Sequence, residues 1–160
     1  MIECCARFIQ RFDEKKLRAC WLALLGSVGT GKTHCGQRVW DHLSEEFDWH
    51  KFDYFHHKIY WPEFIMELRG GNKYEKLREM MRWPVLFLDD IGAERDSTGF
   101  AAEQLNMLLG CRVGRWTIIT SNLNLHQLAL IDPRIADRII REPGNQHTEL
   151  SIPSFGLRGN

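Results

Sequence analysis

The stretch GSVGTGKTH, residues 26–34, decides how the chain is read. Gly26, then Ser27, Val28, Gly29 and Thr30, then Gly31, Lys32 and Thr33 fit the phosphate-loop pattern, with His34 directly after it. Each position has a mechanical reason. The glycines let the backbone curl so that successive N–H groups face phosphate oxygens, Lys32 reaches the β and γ phosphates, and the Thr33 hydroxyl completes a magnesium shell. Immediately upstream, ACWLALL (residues 19–25) is a continuous apolar run closed by Gly26, as expected of a strand buried on both faces of a parallel sheet. Downstream, Cys35, Val39, Leu43 and Phe47 recur every fourth residue, the stripe of an amphipathic helix. That helix aims its positive dipole end at the same anion. Strand, glycine-rich loop and helix are the context the motif requires.

Further along, VLFLDD (residues 85–90) places two carboxylates at the tip of a second apolar strand. A parallel sheet presents its ligand-binding edge there, and unpaired carboxylates are poor core material. Asp89 is the natural magnesium partner through water. Asp90 is the natural base for an attacking water, or else it caps the next turn, and Glu94 is a second candidate for the base. A third buried strand, residues 116–121, ends at Asn122, whose amide suits holding a water between the γ phosphate and Asp90.

The remaining elements follow from periodicity and punctuation. Ile2, Cys5, Phe8, Ile9 and Phe12 predict a short amphipathic helix, and the aromatic alternation over residues 49–55 predicts a strand, with residues 56–60 leading into a helix that Pro62 opens and Gly70-Gly71 ends. Asn72 with Glu75 resembles a capping box for a helix stopped by Trp83-Pro84. Ser97 is placed to cap a helix carrying Ala101, Leu105 and Leu108; Asp132-Pro133 starts another that runs to about Arg141; residues 149–152 add a last strand. Strands alternating with helices predict an α/β fold on a mainly parallel sheet. On the helix after Pro133, Arg134, Arg138 and Arg141 share one face. They either reach a phosphate supplied by a neighbouring subunit or pair locally with Asp137 and Glu142.

Composition narrows the function classes. The 160 residues suit one domain, so residues 1–18 are read as an N-terminal helix and linker and 19–160 as the core. Lys plus Arg and Asp plus Glu balance at 21 each, which excludes steering to nucleic acid by net charge. Five cysteines with neither CxxC nor Cys/His spacing indicate neither a disulfide framework nor zinc. The N-terminus lacks a signal-peptide apolar run and no run approaches membrane-spanning length, so a cytoplasmic protein is expected. Residues 49–61 interleave Trp49, Phe52, Tyr54, Phe55, Tyr60 and Trp61 with cationic side chains, an arrangement that stacks single-stranded bases or alternates into a core.

Taken together, GSVGTGKTH, LDDIGAE (88–94), TSNL (120–123) and RIADRI (134–139) resemble the AAA+ ATPase core of bacterial and phage helicase loaders of the DnaC and DnaI type, with the transposition ATPase IstB a close cousin. The resemblance covers nearly the whole chain from about Phe8. It implies a P-loop NTPase fold with a five-stranded parallel sheet flanked by helices and no C-terminal lid domain. Residues 26–34 would bind ATP, Lys32 and Thr33 being Walker A residues. Asp89 and Asp90 would be the Walker B pair, with Thr33 and Asp89 serving magnesium. Asn122 would be sensor 1, and Arg138, supported by Arg134, the finger acting on the ATP of an adjacent protomer. It further implies self-association into an ATP-dependent oligomer that grips single-stranded DNA and a replicative helicase. Such loaders carry an N-terminal helicase-docking domain, for which residues 1–18 are too short; the chain is then an isolated ATPase core or contacts its partner in another way. Two other functions fit the same loop: a small-molecule kinase, against which the DDIG and TSN motifs speak, and a nucleotide-gated binding module with negligible turnover, for which Asp90 in place of the more usual Glu leaves room.

Overall fold

Five strands, β1 (Trp21–Gly26), β2 (Lys58–Tyr60), β3 (Val85–Ile91), β4 (Trp116–Ser121) and β5 (Gln146–Leu150), pair in parallel in the order β2-β3-β4-β1-β5. Between and around them run α1 (Ile2–Asp13), α2 (Lys32–Glu46), α3 (Trp61–Arg69), α4 (Tyr74–Met80), α5 (Phe100–Cys111), α6 (Leu125–Ile131) and α7 (Pro133–Arg141). The structure is a computed structural model that describes residues 1–14, 18–46, 58–71, 73–94, 96–141 and 144–151.

Strand alternation explains why the central strands carry apolar side chains on both faces. Trp21, Ala23 and Leu25 of β1, Leu86 and Leu88 of β3 and Ile119 of β4 enter one core with α3, α4, α5, α6 and α7. Leu22 and Leu24, Val85 and Phe87, and Ile118 enter the other with α1 and α2. Register agrees with this division, since Leu22, Ile118 and Phe87 lie in line across the sheet, as do Ala23, Ile119 and Leu88. Each of these three strands therefore needs apolar side chains on both faces. Among the described residues no helix is long and apolar enough to cross a membrane.

Several boundaries differ from expectation. The strand expected at 49–55 lies outside the described residues, as does Asn72. Residues 58–60 are strand rather than a lead-in to α3: only Ile59 is buried between exposed Lys58 and Tyr60, the alternation of an edge strand. At α4 the N-cap is Lys73 at φ 72°, with no side-chain cap. Nor does Ser97 cap α5; Gly99 is the N-cap, and Asp96 reaches in from upstream to accept from the N–H groups of Ala101 (2.7 Å) and Ala102 (3.3 Å) and from Arg69 (2.8 Å). The last strand is 146–150, where it pairs with β1, instead of 149–152. Helix α6 was not expected, although its start carries a signal: Asn124 accepts from Gln127 N–H at 2.8 Å while Gln127 Oε1 accepts from Asn124 N–H at 2.9 Å, a capping box.

Candidate nucleotide and magnesium site

The carboxyl ends of β3, β4 and β1 lie side by side, and the phosphate-loop residues rise from the last of them. Gly26, at φ 109°, has no alternative there: a Cβ would stand 2.1 Å from Leu150 O. The loop is tied at its root, with Gly26 N–H donating to Leu123 O and Ser27 N–H to Leu150 O. Gly29 and Gly31 are also left-handed, so the chain curls over before α2 begins at Lys32. Lys32 is 5% exposed, and its ammonium fills the hollow by donating to Gly26 O (2.9 Å), Ser27 O (2.6 Å) and Thr30 Oγ1 (3.3 Å). Burial lowers its pKa, against the pull of the Asp90 carboxylate.

Opposite the loop, Asp89 Oδ1 accepts from Thr33 Oγ1 at 3.0 Å and from Thr120 Oγ1 at 2.6 Å. Asp90 Oδ1 accepts from Asn122 Nδ2 at 2.6 Å. Burial raises the Asp90 pKa and the neighbouring Asp89 charge adds to this, opposed by Lys32 and the Asn122 bond. Two successive strand residues ordinarily face opposite ways. Here the register shifts between Leu88 and Ile91, and Asp90 sits at φ 63°, so both carboxylates line one cavity. Its volume is about 420 Å³, and Val28, Gly29, Thr30, Gly31, Lys32, Thr33, His34, Asp89, Asp90 and Asn122 line it as expected from the sequence.

Other expectations fare differently. Gly26 and Ser27 do not line the cavity but hold Lys32 through their carbonyls. Glu94 lies outside it, spent on Gly92 N–H (2.9 Å) and Trp61 Nε1 (3.2 Å), and burial raises its pKa. Arg138 is also outside, its guanidinium against Gly110 of α5 and its buried Nε without a hydrogen-bond partner. Arg134 pairs with Asp132 at 2.8 Å and Arg141 with Asp137 at 2.6 Å, while Glu142 lies outside the described residues. Sequence reasoning missed two lining residues, Tyr60 and Thr120. Tyr60 stands beside Asp89 in register, a neighbour set by nonlocal pairing.

The sequence profile of the bacterial DnaA ATPase domain matches residues 5–141. The replicative helicase loader DnaI of Bacillus subtilis (strain 168) is 31% identical over 113 residues, which make up 67% of this chain and 34% of that protein, so the chain spans about a third of that relative's length. A crystal structure of DnaI superposes with a TM-score of 0.69 at 27% identity, over 93% of this chain and 81% of that one. Similar in fold alone is a replication initiator DnaA bound to AMPPCP and single-stranded DNA, with a TM-score of 0.66 at 17% identity over 94% of this chain and 45% of that one. With a phosphate loop after β1, paired acids ending β3 and an asparagine after β4 on this sheet, the chain belongs to the bacterial DnaA ATPase-domain family and carries the AAA+ core of the DnaC/DnaI type of helicase loader.

Proposed function

We propose that this chain is the magnesium-dependent, ATP-hydrolysing domain of a replicative helicase loader of the DnaC/DnaI type. One observation carries the reading: Thr33 Oγ1 meets Asp89 Oδ1 at 3.0 Å across the mouth of a loop that buries Lys32. A hydroxyl and a carboxylate so juxtaposed, next to a phosphate cradle, suit a cation that keeps most of its waters and needs few protein oxygens.

Magnesium, when bound, supplies charge neutralisation to the β and γ phosphates. Lys32 exchanges its bonds to Gly26 O and Ser27 O for phosphate oxygens, and the loop N–H groups with the α2 dipole hold the rest of the anion. Asp90 accepts the proton of the attacking water, oriented by Asn122. His34 lines both this cavity and an apolar groove of about 320 Å³ shared by Ile2, Cys5, Ile9 and Val39, where the nucleoside would lie. Arg138, which lies outside the cavity, would serve the ATP of an adjacent protomer, with Arg134 in support. A replicative helicase and single-stranded DNA are the partners that the DnaI relative and the DnaA fold neighbour suggest.

The test is ADP release per protomer across protein concentration, with and without single-stranded DNA. A rate that rises with both is expected. ADP release absent under every condition, with ATP still bound, would favour the nucleotide-gated module; release only on adding a nucleoside or nucleotide acceptor would favour a kinase.

A further inference from the structure

Thr120 touches both acids of the β3 tip. Its hydroxyl donates to Asp89 Oδ1 at 2.6 Å and accepts from the Asp90 N–H at 2.9 Å. A hydroxyl carries one proton, so the two bonds must divide its roles in this way. The side chain is enclosed. It is 1% exposed, and its methyl faces Gly36 of α2, 3.3 Å from where a Cβ on that glycine would stand, while its hydroxyl meets the acids.

The bulge makes this contact consequential. Asp90 is held at φ 63°, a backbone conformation costly for a side-chain-bearing residue unless its surroundings fix it. Its N–H has left the regular ladder, because the register shifts between Leu88 and Ile91, and Thr120 supplies its acceptor. Ser121 closes the other side, donating to Ile91 O at 2.6 Å. Asp89 Oδ1 thus accepts from two hydroxyls, that of Thr33 from α2 and that of Thr120 from β4.

We infer that Thr120 is a positioning residue for the magnesium-nucleotide site, its hydroxyl locking the β3 bulge so that Asp89 and Asp90 face one cavity. The inference rests on the nucleotide reading proposed above. With Thr120 replaced by Val, the shape is kept while the Asp89 donor and the Asp90 acceptor are both lost. With Ser, both bonds remain and only the methyl contact goes.

The experiment compares wild type, T120V, T120S and T120A by binding of the fluorescent nucleotide mant-ATP in EDTA and in magnesium, and by kcat and KM for ATP. T120V is expected to match wild type in EDTA, to lose the gain in affinity that magnesium gives, and to lose kcat by about tenfold or more, the scale of a lost hydrogen bond to a charged group. T120S restores both within about threefold on the same scale. Should T120V fail to fold, T120A against T120S makes the same comparison, since Ala lacks only the hydroxyl that Ser retains. T120V or T120A with a wild-type magnesium gain and wild-type kcat overturns the inference alone, as does a T120S as impaired as they are, which would trace the effect to the methyl. A wild-type protein that binds no mant-ATP overturns the site reading and this inference with it.

Discussion

Asp90 combines three properties seldom found together: a left-handed backbone, a carboxylate whose pKa is raised by burial, and a 2.6 Å bond from Asn122. Asn tolerates the same backbone and the same burial but cannot take a proton. Asp90→Asn is therefore expected to keep ATP affinity and lose turnover by about 10²-fold or more, the contribution of a positioned general base. Single-turnover ADP formation checks it, and unchanged turnover would remove Asp90 from the role. Glu94 is a poor substitute, since Gly92 and Trp61 already occupy both its oxygens. At this scale the sequence was informative wherever chemistry follows spacing. Lys32, Thr33, Asp89, Asp90 and Asn122 all meet at the cavity. Thr120 escaped because a threonine in a strand reads as ordinary β material, and its two bonds exist only through the β3–β4 register and the close passage of Gly36.

Elements were legible where periodicity was strong and obscure where a distant side chain sets the boundary. Strand β4 falls where the apolar run predicts, whereas α5 begins two residues later than Ser97 implies because Asp96 takes over the capping. Arg112 is another distant determinant. Fully buried, it donates to Met80 O, Trp83 O, Trp116 O and Thr117 Oγ1, tying the end of α4 to the start of β4, and burial pulls its pKa down to about 9. No local pattern announces such a residue, because an arginine before a turn looks like solvent-facing surface. The two capping acids give a pH dependence. Burial pushes Asp96 up, but the bonds from Thr98, Ala102 and Ala101 outweigh it; at Asp132 the Arg134 bond dominates, and both pKa values end below the ordinary carboxylate value. The folded state then binds fewer protons than the unfolded chain, so this stability is present above about pH 4 and is lost as pH falls through the folded values. Melting temperature should drop across that acid window in the wild type, and less steeply in Asp96→Asn and Asp132→Asn. Parallel pH profiles for all three would rule this contribution out.

Over the whole molecule, the alternation of strands and helices was enough to predict a parallel sheet, but the order β2-β3-β4-β1-β5 is a property of pairing, and it is the order that sets β4 between the phosphate loop and the acids. This places Asn122 and Thr120 to touch the acids of β3, while Leu123 O receives the N–H of Gly26 at the root of the loop. Arg138 stands apart, against Gly110 on the α5 side, and the proposed function gives it the ATP of an adjacent protomer rather than that of its own. Arg138→Ala should bind ATP as the wild type does, yet its turnover per protomer should fail to rise with protein concentration; a wild-type rise would assign the trans charge elsewhere. The central claim is that the loop of residues 26–34 captures ATP with magnesium. Calorimetric titration of ATP into wild type and Lys32→Ala, with and without magnesium, tests it most directly. The account predicts saturable binding by wild type, tighter with magnesium, and a loss of about tenfold or more in Lys32→Ala, as expected when a charge-assisted phosphate contact is removed. Equal affinity of the two proteins, or no binding by wild type, would contradict it.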